Sequence, residues 1–407
     1  MKRFVPAALA ALAALAPLSA QSEPLSFALS GTASAETAAS KENEDSVFSG
    51  LADIDDASCS AAVDAKLTFS RGYAAMALLD FSFSDSVVLD GDTGATLEDL
   101  AVEVREFYAD LGFGDAFYLR AGKQRLSWGC GYVFNPSDPV NPPKDPTRPR
   151  ASLEGVPALK AEIIAEPVSF MAFAVIHEGL EDFGYGGKVS TSAIPNTDLS
   201  ASAYWSPFQS WTAALNASVA PLYALPGWDS LLVWAEGTIY DRDRYSSYDA
   251  GMPALPSTED ADGMRYAFLV GSSAKIPVVD TMIVAEYYRL DEGLSADETS
   301  EALDSPAWYG EIARRPGRLG KDYLFASVAQ ATITNSGHPV LDKIGLSASC
   351  LVNLTDASAY VSASCSLGIV DNASLELSAG GAFGGSESEF GNVLERFIAR
   401  LALKVHF

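Results

Sequence analysis

The chain has 407 residues, 48% of them hydrophobic, yet its 53 acidic and 27 basic side chains leave a formal charge of -26. So acidic a balance excludes nucleic-acid binding, which needs Lys and Arg against phosphate, while it permits electrostatics that favour cations. Hydrophobic and hydrated residues are finely mixed, and no apolar run approaches the roughly 20 residues that cross a bilayer as a helix. Period-two strands account for that mixture better than the core of a soluble enzyme does.

From the N-terminus, Lys2 and Arg3 precede an apolar run over Val5 to Leu18, and Leu18-Ser19-Ala20 offers a cleavage site. Residues 1–20 read as a secretory signal and 21–407 as a single domain with no plug before it. The first cysteine is Cys59, so the acyl anchor of a lipoprotein has no attachment point.

Alternation then predicts strands at about 27–40, 60–70, 72–84, 97–110, 115–128, 154–165, 168–177, 185–193, 198–207, 211–219, 229–240, 262–275, 281–291, 322–334, 340–352, 357–369, 373–384 and 394–407. That is about eighteen; the first strand and the pair flanking Pro207 alternate least clearly, so sixteen is the alternative. Short joints at 71–72, 112–115, 166–167 and 370–372 all fall on one side. The long segments 41–59, 129–153, 241–261 and 292–321 fall on the other, as in outer-membrane barrels with short periplasmic turns.

The last strand is the clearest. Phe397, Ala399, Leu401, Leu403, Val405 and Phe407 alternate with Arg396, Arg400, Lys404 and His406. An alternating final strand closed by Phe407 resembles the signature that the barrel-assembly machinery of the outer membrane recognises. A soluble sandwich would carry charge on its outer surface and lack the long/short asymmetry of joints. The expected fold is therefore all-β, a transmembrane antiparallel up-and-down β-barrel, in the bacterial outer membrane with lipid around it.

The most distinctive stretch is Tyr118 to Arg150, a basic strand, Trp128-Gly129 and a loop stiffened by six prolines. It resembles the G-K/R-Q-R-x-x-W-G-x-G-x-x-x-N-P-x-D-x-x-N-P element of bacterial outer-membrane porin-type barrel families, including the alginate-export-like group. The matching positions are Gly122, Lys123, Gln124, Arg125, Trp128, Gly129, Asn135, Pro136, Asp138, Asn141 and Pro142. The resemblance covers about a tenth of the chain and speaks to the barrel more than to a substrate. Two readings of residues 134–150 stand side by side. In one the loop folds inward and narrows the pore, with Asp138, Lys144, Asp145, Arg148 and Arg150 setting its charge; in the other it is a rigid external loop.

Alternation places Glu103, Arg105, Arg120, Lys160, Glu162, Glu236, Glu376, Arg396, Arg400 and Lys404 toward a water-filled lumen, either as a transverse field or as an ordinary hydrated wall with salt bridges. Arg120 and Lys123 fall on opposite faces, so a bulge is expected within 115–128. Trp205 and Trp211 point outward near one rim. Cys59 and Cys130 both fall in expected outer loops and are able to pair in an oxidising compartment; Cys350 and Cys365 read as small apolar filler. Asp90 to Glu98 departs from calcium-loop spacing. The three histidines lack metal-binding spacing, and no nucleophile-base motif or phosphate loop appears, so neither metal, cofactor nor enzymatic activity is expected. The leading function is passive diffusion of small hydrophilic solutes or ions. The alternatives are a surface interaction protein with acidic outer loops and a transporter of hydrophobic substrates. A homotrimer is an analogy with porins.

Overall fold

A computed structural model describes residues 25–407 apart from 45, 48, 50–56, 72–74, 91–93, 98–100, 127, 148–153, 178–181, 208–209, 226, 242–246, 249–255, 258–263, 314, 316 and 334–336. The secretory signal expected over 1–20 lies outside these residues, as do Arg148 and Arg150. Eighteen strands form the wall: Leu25–Glu42 (β1), Ala57–Arg71 (β2), Ala75–Asp90 (β3), Ala101–Phe113 (β4), Phe117–Gln124 (β5), Val156–Ala165 (β6), Val168–Ile176 (β7), Phe183–Ile194 (β8), Thr197–Ser206 (β9), Ser210–Val219 (β10), Leu232–Tyr240 (β11), Arg265–Ile276 (β12), Thr281–Leu290 (β13), Asp322–Gln330 (β14), Ile344–Asn353 (β15), Ser358–Val370 (β16), Ala373–Phe383 (β17) and Glu395–His406 (β18). A short strand, Gly94–Leu97, pairs with the end of β3 within the Asp90–Glu98 stretch.

Each wall strand pairs antiparallel with its sequence neighbours, and β1 pairs with β18 from Thr32↔His406 to Lys41↔Phe397, which closes the sheet. Phe407 completes the seam. Its N–H donates to the Gly31 carbonyl at 3.0 Å and its carbonyl accepts from Gly31 N–H at 2.9 Å. Among the described residues, each of the eighteen wall strands has a backbone partner on both sides, the condition for a sheet to survive in hydrocarbon.

One face of the wall exposes large apolar side chains such as Leu215, Ile239, Val270, Val328, Leu377 and Leu401. The opposite face carries small polar and charged groups or buried aromatics. An apolar exterior on a closed barrel is the transmembrane, outer-membrane arrangement. All eighteen expected strands are present, including the first and the pair flanking Pro207, where Trp205 and Trp211 stand opposite each other in register. Joint length is less regular than expected: the 220–231 and 331–343 connections lie on the short-turn side yet exceed ten residues, whereas 354–357 on the other side is tight.

Two expectations are corrected. The register between β4 and β5 runs unbroken. The irregularity lies instead between β3 and β4, where Asp80 faces Glu106 and Phe81 faces Val104, leaving Arg105 as the extra residue. An added residue reverses the parity, so Glu103 and Arg105 and then Glu106, Tyr108 and Asp110 all reach the interior. Cys59 and Cys130 do not pair. Cys59 belongs to β2 and contacts Thr37 at 3.5 Å on the outer face, whereas Cys130 lies inside the barrel, so the wall separates them.

The interior is not an empty tube. Val133 and Phe134 pack with Trp234, Tyr288, Tyr323 and Phe325, and Leu126 and Trp128 pack with Ala158, Phe173 and Tyr204. The 292–321 segment, expected as a long outer loop, carries two helices: α1 (Ala296–Leu303) starts at a Ser295–Glu298 capping box, α2 is Tyr309–Ala313, and Leu294, Ala302, Trp308 and Leu319 form a small core of their own.

Candidate functional site

The site is the barrel interior and the segment that enters it after β5. That strand ends at Gln124, whose fully buried amide donates to the Ala158 carbonyl at 2.9 Å. The chain then turns inward. Gly129 has φ +64, and an added Cβ would strike the side chains of Asn135, Glu236 and Ser137. Only glycine fits such a position.

Two wall carboxylates pin the loop. Glu236 on β11 accepts from the N–H groups of Cys130 and Gly131, and from Ser137 through its N–H at 3.3 Å and its hydroxyl at 2.8 Å. Glu286 on β13 accepts from the N–H of Tyr132, of Val133 at 2.7 Å and of Phe134 at 3.3 Å, and from Trp234 Nε1 at 2.8 Å. Residues 130–134 have no strand partner, so these acids satisfy backbone donors that are otherwise stranded in a dry interior. Phe134 stacks on Tyr288 at 4.4 Å, and Trp128 meets Phe173 edge-on at 5.0 Å. From above, Arg318 donates to the Lys144 carbonyl at 2.5 Å and lies 5.8 Å from the Phe134 ring centre.

Charges expected to line a constriction mostly hold the loop in shape. Asp138 accepts from Val140 N at 3.0 Å, Asn141 N at 2.9 Å and Asn141 Nδ2 at 2.7 Å; burial pushes its carboxyl up, opposed by those bonds. Lys144 donates to the carbonyls of Gly131 at 2.8 Å and Tyr132 at 3.2 Å, and burial lowers its ammonium. Asp145 receives both the N–H and the hydroxyl of Thr147.

Of the expected lumen charges, most are paired within the wall. Arg105 bridges Asp64 at 2.6 Å and Asp80 at 2.8 Å. Arg120 holds Asp110 at 2.6 Å with its guanidinium 4.0 Å from the Tyr108 ring centre. Lys160 meets Glu162 at 3.1 Å, Lys404 meets Glu376 at 2.6 Å, and Arg400 meets Glu36 at 3.4 Å. Glu103 stays exposed near the long-loop mouth, and Arg396 sits at a bulge opposite Lys41 and Glu42. Glu236 departs from expectation: it points inward but is only 2% exposed, lying under the loop instead of facing water. Its pattern of small residues on both sides, Ala235 and Gly237, gave no sign of a cover.

Residues that the sequence reasoning missed include Glu286, Glu106, Asp64, Asp80 and Glu36. Glu286 stands in an apolar run where alternation is hard to see, although it shares parity with Val284, Tyr288 and Leu290. Between the loop and the inner faces of β1 and β14–β18 a cavity of about 460 Å³ remains, bordered by Tyr132, Thr147, Tyr360, Glu376 and Arg400.

Two consequences of this geometry are measurable. The Cys130 thiol, facing the carbonyls of Ala217 and Ala235 at 3.7 Å, is pushed up to about 12 by burial and by Glu236. Without thiolate it is unreactive, so a maleimide at pH 8 is expected to leave Cys130 unlabelled in the folded barrel and to label it after denaturation, as read by mass spectrometry of the peptides. Glu389 ties the outer connections together, accepting from Leu319 N at 3.1 Å, Tyr323 OH at 2.5 Å and Asn353 Nδ2 at 2.8 Å. Burial raises its carboxyl from 4.5 to about 7, with Asp356 adding to the rise and the received bonds opposing it. An acid raised on folding binds a proton as it folds, so its contribution is complete below about pH 4.5 and declines as pH rises toward 7. Amide exchange at Leu319, corrected for intrinsic rate, is expected to accelerate between pH 5 and pH 8, and Glu389→Gln to remove that dependence.

No protein-family model matches this sequence, and no curated protein matches it either. Solved structures do. Acinetobacter baumannii OccAB1 superimposes with a TM-score of 0.56 at 10% identity, over 94% of this chain and 96% of that one. The outer membrane protein OprD of Pseudomonas aeruginosa gives 0.52 at 8% identity, over 94% of each chain. Wzi of Escherichia coli, an outer membrane protein of group 1 capsule assembly described as a carbohydrate-binding β-barrel, gives 0.51 at 13% identity, over 98% of this chain and 88% of that one. At these identities the likeness is one of fold, that of an outer-membrane β-barrel.

Proposed function

We propose that this protein is a passive outer-membrane channel for small hydrophilic solutes, narrowed by its own inward loop and not by a ring of free charges. The observation that carries the reading is the pinning of residues 130–137 on Glu236 and Glu286, beside which a cavity remains between Tyr132 and the serine-bearing wall of β14–β17. A barrel that only displayed outer loops would have no use for a stiff element fixed across its interior. The likeness in fold to OprD and OccAB1 fits this reading. Ion pairs inside the wall keep the lumen hydrated while limiting the net charge a solute meets.

Of the five charges assigned to the constriction, Asp138, Lys144 and Asp145 act by shaping the loop, while Arg148 and Arg150 lie outside the described residues. The terminal strand with Phe407 serves as the signal for assembly. Planar-bilayer recording of the refolded chain tests the function. A stable open step is expected, and deletion of 136–148 should enlarge it. A folded barrel that never opens a step would favour the surface-interaction role.

A further inference from the structure

The inner wall opposite the loop carries a pattern that the ion pairs and the loop anchors do not explain. Register aligns Ser327, Ser349 and Ser362 in one row and Ser347, Ser364 and Ser378 in the next, across β14–β17. Neighbouring strands lie about 4.8 Å apart and same-face residues about 6.8 Å apart along a strand, so six hydroxyls form a grid on one wall of the cavity. Ser347 and Ser364 bond to each other at 2.7 Å, as do Ser349 and Ser362. A pair of hydroxyls that share one proton still offers one donor and unused lone pairs, which matches a hydroxyl-bearing solute in both roles.

The opposite side of the cavity is aromatic. Tyr132 is 39% exposed, and its ring lies 6.1 Å from that of Phe325. Its backbone, not its side chain, holds the loop on Glu286. The charges at the edge are Glu36, Glu376, Arg400 and Lys404, two of each sign, joined as Arg400–Glu36 and Lys404–Glu376. Among the described residues, no uncompensated charge stands on this rim to select an ion. An apolar ring on one side and a lattice of neutral donors and acceptors on the other suit a molecule with C–H faces and many hydroxyls. The volume of about 460 Å³ falls within the roughly 300–1,000 Å³ of small-molecule sites.

We infer that this cavity is a binding subsite for a neutral polyhydroxylated solute, a sugar or polyol, held between the Tyr132 ring and the serine grid. The inference rests on the channel reading and gives it a substrate class, but its test is separate. Isothermal titration of the detergent-refolded full chain with trehalose is expected to show saturable binding, about millimolar, with glucuronate at least tenfold weaker. The triple variant Ser349→Ala, Ser362→Ala, Ser364→Ala should lose about tenfold or more in affinity. Tyr132→Ala, which keeps the backbone anchor, should do the same and serves if the triple variant misfolds. Ser374→Ala, lower on the same wall, should bind as the parent does.

A folded barrel without saturable heat from trehalose overturns the subsite, as does binding that survives both variants unchanged or glucuronate binding as tight as trehalose. A barrel that binds trehalose but does not conduct overturns the channel reading and leaves the subsite standing.

Discussion

Replacing both Glu236 and Glu286 by alanine is expected to raise single-channel conductance severalfold while the barrel itself stays closed. The two carboxylates are 2% and 1% exposed, and together they accept from the backbone N–H groups of residues 130–134 and from the N–H and hydroxyl of Ser137. Each buried donor left without an acceptor costs about 1–3 kcal/mol. The packed conformation then loses more than Phe134 and Trp128 regain by burial, and the loop leaves the interior. Glutamine at both positions is expected to fall between: it keeps one acceptor oxygen but turns an amide donor toward N–H groups. Planar-bilayer recording measures the step, and a heat-dependent gel shift reports whether the wall is intact. An intact double-alanine barrel with the parent's conductance would mean that the loop does not set the width.

Gly31→Val is expected to abolish most refolding. Gly31 exchanges two backbone bonds with Phe407 at the seam, and a Cβ there would lie 2.6 Å from Phe407 Cζ and strike the Asp64 carbonyl as well. A side chain therefore either displaces the Phe407 ring or opens the β1–β18 seam, and an open sheet margin in lipid strands several N–H and C=O groups at several kcal/mol each. The fraction of heat-shifted protein after refolding into detergent measures the effect. Ala33→Val, on the same strand two residues farther along, is the control and should refold normally. Equal yields for the two variants would show that the seam tolerates bulk at Gly31 and that closure is governed elsewhere.

The strands were legible because a wall between lipid and water must change polarity with every residue. Ser347, Ser349, Ser362 and Ser364 against Ala348, Cys350, Ala363 and Cys365 state both the strand and its two faces. Alternation failed where that condition lapsed. At Arg105 a single extra residue reverses the faces, and nothing in AVEVREFYAD marks which residue is the extra one. On β11 and β13 the inner face is covered by the loop, so Trp234, Tyr240, Val284, Tyr288 and Leu290 point inward although they are apolar, and the contrast between the faces disappears. The inward loop was one of two readings of a proline-rich stretch, since stiffness is local and says nothing about direction.

What the sequence determined by itself was the barrel: about eighteen strands, their up-and-down order and, wherever polarity alternates, the lipid-facing residues, all consequences of a two-residue period and of backbone groups that must be bonded in lipid. Tertiary structure alone decided the interior. Which acids receive the loop, which charges neutralise one another and which serines share a row depend on register between strands far apart in the chain, and register is a property of the closed sheet and not of any one segment.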